Sequence, residues 1–155
     1  MPDDLPTDLI DSLIDNEAIA ALRRRRPEAR RHAEGAFREL VLPTDPGGLS
    51  LAERASLALR VAEREGDQPL AARYRALVVQ AGDDARERHR IDALLRYADQ
   101  VAVTPEATSR ADIGALASLG LTSRDIVAAT QLIAFVPYQV RLLAGLRAMM
   151  QEGAR

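Results

Sequence analysis

The chain has 155 residues, 47% of them hydrophobic but only 3% aromatic, with a net charge of −2 and no cysteine. One domain accounts for that length, and its core is large enough to dispense with disulfides or structural metals. The missing thiols exclude disulfides, Cys-ligated metals and thiol chemistry by this chain alone, and the balanced charge creates no field to draw nucleic acid or an anionic membrane.

A core short of aromatics must be built from Leu, Ala, Val and Ile, side chains that suit closely packed helices. The opening "MPDDLPTDLIDSLID" is acidic, without a basic segment ahead of an apolar one, so no secretory signal is expected there. A cytoplasmic setting fits these features.

In chain order, Leu9, Ile10, Leu13 and Ile14 recur at helical spacing. A short helix follows from Asn16, carrying Ile19 and Leu22, and breaks at Arg26, because the residue before Pro27 disfavours the α region. Pro27 can open the next helix, with Ala29, Ala33, Ala36, Phe37 and Leu40 on one face. "VLPTDPGGLS" (residues 41–50) is a Pro/Gly loop, which divides an N-terminal helical arm, residues 1–48, from a helical core, residues 49–155.

Ser50 and Glu53 form a capping box for a helix that Gly66 ends. Asp67 or Gln68 caps the next helix near Pro69; its apolar stripe is Leu70, Tyr74, Leu77, Val78 and Ala81, and Gly82 stops it. Asp84 to Glu87 resembles another box, followed by Ile91, Leu94, Leu95, Ala98 and Val101. "TPEATS" is a loop, and Ser109 starts a short helix that Gly120 closes. Thr122 to Asp125 opens the last and longest helix, in which Pro137 should introduce a kink. No alternating apolar run with a hairpin turn occurs, so the fold expected is all-α, with about six to eight helices and no sheet.

The apolar segment from Asp125 to Met150 is interrupted by Gln131, Gln139, Arg141 and Pro137, which suits a buried or subunit-interface helix better than a membrane span. The basic run "RRRRPEARR" (residues 23–31) is either a phosphate-binding patch or a face paired with the preceding acids, Asp3, Asp4, Asp8, Asp11, Asp15 and Glu17. It has no interleaved aromatics, and nucleic acid is not expected as a partner. His32 and His89 stand apart on polar stretches without ligand spacing, so they read as surface residues; no metal and no cofactor is expected.

Arg141, four residues after Pro137, is the leading candidate for ligand binding. A buried arginine needs a partner, so it either orients an anion in a cavity or makes an intersubunit ion pair. Tyr138 and Gln139 could line the same pocket or fill the core. Glu63, Asp67 and Tyr74 are the candidates for moving protons, against the alternative that Glu63 simply faces solvent.

"LSLAERASLALRVAEREGDQPLAARYRALV" (residues 49–78) resembles the core of the AhpD-like/carboxymuconolactone decarboxylase (CMD) superfamily. "LGLTSRDIVAATQLIAFVPYQVRLLAGL" (residues 119–146) resembles the region that follows in its alkylhydroperoxidase-related members. In that family a helix ends in Gly and a Cys-x-x-Cys pair opens the next one. The helix dipole and free amides favour thiolate there, a His and an upstream Glu relay protons, and the second Cys resolves the first.

With Gly66 as the anchor, the two Cys fall on Asp67 and Leu70, the His on Tyr74 and the Glu on Ala55; Glu53 is two positions off, on the wrong helix face. The resemblance thus implies an AhpD-like bundle whose redox motif is lost. It implies a homo-oligomer serving as a structural or accessory subunit, with a Cys-containing AhpD-like paralogue as a partner. The competing readings are a Cys-free decarboxylase-type enzyme acting on a small carboxylate, bound by Arg141 with Tyr74, Asp67 or Glu63 moving protons, and a binding module for some other ligand.

Overall fold

A computed structural model describes residues 8–82 and 88–152; the box expected at residues 84–87 and the acids Asp3 and Asp4 lie outside them. The described residues form eight α-helices and no strand: α1 (Leu9–Ile14), α2 (Glu17–Arg24), α3 (Pro27–Leu40), α4 (Leu51–Glu65), α5 (Gln68–Ala81), α6 (Arg88–Val103), α7 (Arg110–Ser118) and α8 (Ser123–Glu152).

The ends follow local chemistry. Asn16 caps α2 through the Ile19 amide at 3.1 Å, and Pro27 is the first residue of α3. Ser50 and Glu53 close a reciprocal box at the start of α4. Gly66 ends that helix at φ +78°, a left-handed conformation that L side chains adopt only with strain. Thr122 and Asp125 exchange cap bonds at the head of α8.

Helix α4 is the central element, packed against α5, α6 and α8. Ala55, Leu57, Ala58, Val61 and Ala62 are all buried. The alanines let neighbouring backbones come close, which replaces the bulk that aromatics would supply. Ile10, Ile14 and Ile19 from the N-terminal helices join the same core.

Two expectations change. "TPEATS" contains a short 3-10 turn at Pro105–Ala107, favoured by Pro105 at its first position. The stripe of α3 is only half-buried, with Ala29 exposed and no residue fully inside. Helix α8 runs without interruption through Pro137 for 30 residues. One lost backbone bond does not end it, because Val136, Gln139 and Leu143 on either side are anchored in the core.

By length and composition α8 is long and apolar enough to cross a membrane, yet only 39% of its most apolar window is buried within this chain. Val127, Gln131, Ala134, Tyr138, Arg141, Gly145 and Ala148 are all exposed, at alternating spacings of four and three that trace one face of the helix.

Candidate functional site

Helix α5 begins at the corner made by Gly66 and Asp67. Asp67 is buried; its Oδ1 accepts from the Leu70 amide at 3.0 Å, and its Oδ2 accepts from Arg147 Nη1 at 2.5 Å. The carboxylate is therefore a helix cap and an ion-pair partner at once. Leu70, one turn on, is fully buried.

Tyr74, a further turn along, is also fully buried, and its hydroxyl donates to Oε1 of Gln139. Burial drives the phenol's pKa well above its ordinary value, only partly offset by that hydrogen bond, so it is no proton donor or acceptor near neutrality. Positions 67, 70 and 74 share one face of α5 by their spacing of three and four. On α8 the two polar partners, Gln139 and Arg147, are eight residues apart and share a face as well. The contact is thus a joint between two helices, closed at one end by an ion pair and in the middle by a buried hydrogen bond.

The sequence candidates divide accordingly. Asp67, Tyr74 and Gln139 meet in this joint. Glu63 is exposed and pairs with Arg75 at 2.6 Å. Arg141 stands apart. It follows Gln139 by two positions, about 200° around the helix, and is exposed, with no hydrogen bond or ion pair to the described residues. Arg141 and Tyr74 do not converge on a common pocket.

Tyr138 and Gln139 do line a cavity of about 260 Å³ between α1, α3, α5 and α8. Its walls are largely apolar, with Leu9, Phe37 and Phe135 prominent, and Phe135 stacks on Tyr138 with ring centroids 5.9 Å apart. Of its charged lining residues, Asp8 is tied to Arg23 at 2.8 Å and Glu34 to Arg30 at 3.2 Å. Arg73 donates to the neutral hydroxyl of Ser12 at 2.9 Å, and Arg38 makes no ion pair with the described residues.

The basic run resolves the same way. Arg23 and Arg30 reach Asp8 and Asp11, Arg24 pairs with Glu17 and Arg31 with Glu28, so most of it balances acids of the same arm. His32 and His89 are exposed. Among the described residues no group of three His, Cys, Asp or Glu side chains is placed to hold a metal.

A second polar cluster had little signal in sequence. Arg54, buried in α4, donates to the carbonyls of Leu49, Leu40 and Pro46 at 2.8–2.9 Å and so fastens the 41–50 loop. The buried Glu53 pairs with Arg90 of α6, which also donates to the Gly48 carbonyl at 2.6 Å. Asp125 accepts from the Gly48 amide at 2.9 Å; burial works against its charge, but hydrogen bonds from Thr122 and Gly48 hold its carboxyl below the usual range. The caps at Glu53 and Asp125 were readable in sequence, but their joining over the loop was not, because the partners come from three distant helices. No protein-family model matches the chain, and no curated protein matches it at a significant level.

Proposed function

We propose that this chain is an AhpD-like/CMD-type protein that has lost the Cys-x-x-Cys redox pair, has no thiol-dependent peroxidase activity and acts as an oligomeric structural or accessory subunit. The observation that supports this reading is the joint at the head of α5. The three positions that the resemblance assigns to the reacting groups share one helix face at a helix N-terminus, and Asp67, Leu70 and Tyr74 fill them with a cap, an apolar side chain and a buried hydrogen bond. None is left free to react.

Self-association has its own support. The exposed face of α8 carries Val127, Ala134, Tyr138 and Ala148, and an apolar face of that length is normally covered by protein or lipid. Exposed Gln131 and Arg141 within it favour a protein surface, since a charged side chain facing lipid at mid-helix is costly. The decarboxylase-type reading has less support, because it needs Arg141 and Tyr74 at one pocket.

Light scattering after gel filtration tests the reading. The wild-type protein is expected to be a dimer or larger at micromolar concentration, and Ala134→Glu to be a folded monomer. A wild-type monomer would remove the subunit role. Hydroperoxide consumption with a dithiol reductant is expected to equal the buffer blank, and turnover above it would remove the redox-inactive reading.

A further inference from the structure

We infer that the cavity between α1, α3, α5 and α8 is a binding site for a small amphipathic carboxylate. It goes beyond the subunit role and does not depend on it. Three observations carry it. The first is size and lining: about 260 Å³, walled mainly by aliphatic and aromatic side chains. Since a 150 Å³ apolar cavity accommodates benzene, this one takes a ligand of roughly ten non-hydrogen atoms.

The second is an unused donor. Gln139 is 2% exposed, and its Oε1 is occupied by the Tyr74 hydroxyl. Its amide nitrogen bonds to none of the described residues. The sealed polar side-chain atoms without a hydrogen bond to those residues are Arg30 Nε, which makes ion pairs only, and Thr108 Oγ1, so the Gln139 amide is not sealed and opens onto the cavity it lines. A buried amide in this position is satisfied by an acceptor inside the cavity, from water or a ligand.

The third is the charge left over. The acids of the lining are held by arginines of α2 and α3, Asp8 by Arg23 and Arg30 and Glu34 by Arg30, and Asp11 shares the same two arginines. Arg38 and Arg73 have no acidic partner among the described residues, and both are exposed, which places them at the mouth. Arg38 and Arg73 outweigh the one carboxylate charge that Arg23 and Arg30 leave unbalanced, and a surplus positive charge beside an apolar hollow selects an anionic head with an apolar body. Arg38 and Arg73, rather than Arg141, take the part of the anion-binding group.

The test is calorimetric or ligand-observed NMR titration of the full-length protein with octanoate, 1-octanol and octylamine. Octanoate is expected to bind saturably below about 1 mM and more tightly than the other two. Arg38→Gln and Arg73→Gln, both at exposed positions, are each expected to weaken octanoate by about three- to tenfold and to leave octanol unchanged. Ala33→Leu, which fills the cavity, is expected to abolish binding of octanoate while the protein remains folded by circular dichroism. The site is overturned if octanoate does not saturate, if octanol or octylamine binds as tightly, or if the two arginine variants bind octanoate like wild type. Binding that survives in folded Ala33→Leu overturns it too. Tyr138 lies both in this lining and on the exposed α8 face, so the titration is repeated on Ala134→Glu: octanoate binding retained by that variant upholds the site whatever the outcome for self-association, and binding lost in it while the variant stays folded overturns the site as a property of the single chain.

Discussion

Tyr74 carries a hydroxyl into the interior and has a single partner, Gln139. Tyr74→Phe keeps the ring and leaves the Gln139 carbonyl unpaired, a loss of about 1–2 kcal/mol in urea unfolding, since water can reach Gln139 from the cavity. The pH dependence has a definite sign. Burial raises the folded-state pKa above the ordinary value of 10.0, so the stabilisation is whole below that pH and is lost as the pH rises beyond it toward the higher folded value. Wild type is expected to lose stability between pH 10 and 11, and Tyr74→Phe to lose less; equal losses would mean that the phenol is not sealed. Asp67 separates two roles. Asp67→Ser keeps a cap and loses the Arg147 pair, whereas Asp67→Ala loses both, and it should be the less stable of the two by about 1 kcal/mol in the same measurement.

Among the elements, the 41–50 loop is held more firmly than its composition suggests. A Cβ added to Gly48 would lie 2.5 Å from Asp125 Oδ2, whereas one added to Gly66 meets nothing within 4 Å. Gly48→Ala must displace the cap of α8 or the loop itself and is expected to cost about 1–3 kcal/mol. Gly66→Ala only strains a left-handed residue, at about 1 kcal/mol. Amide exchange discriminates the two: Gly48→Ala should speed exchange at the head of α8, and Gly66→Ala should not. Helix ends were legible in sequence because caps are local, as Asn16, Ser50 and Gly66 show. The grip of Arg54 on the loop and the pairing of Glu53 with Arg90 were not, because amphipathic spacing puts a charged residue near the start of a helix and cannot say that a loop or a distant helix will fold over it. Between α4 and α6, Arg60 and Arg64 converge on Asp99, whose carboxyl is held far below its ordinary range by hydrogen bonds from Arg60 and then Arg64. That contribution is present at neutral pH and fades in acid, and solvent screening of the two half-exposed arginines keeps it small.

At the scale of the molecule, α8 decides most. One face closes the core through Ala129, Leu132, Val136 and Leu143, and the opposite face is exposed over the same length. A helix apolar on both sides is expected to be covered twice, once by its own chain and once by another surface. Loss of self-association in Ala134→Glu should therefore leave the monomer's unfolding midpoint in urea close to that of diluted wild type. A collapse of the monomer would show instead that the exposed face is part of the fold.

The sequence by itself determined the helices, their caps and the absence of reactive thiols, because these depend on near neighbours and on composition. Only the tertiary structure decided which polar groups meet. Arg141 and Gln139 lie two residues apart in an apolar run and look equivalent as letters, yet 200° of helix rotation sends one to solvent and the other to Tyr74. The cavity was likewise beyond the sequence, because its walls come from four helices, and a residue's spacing along one helix does not record what packs against it.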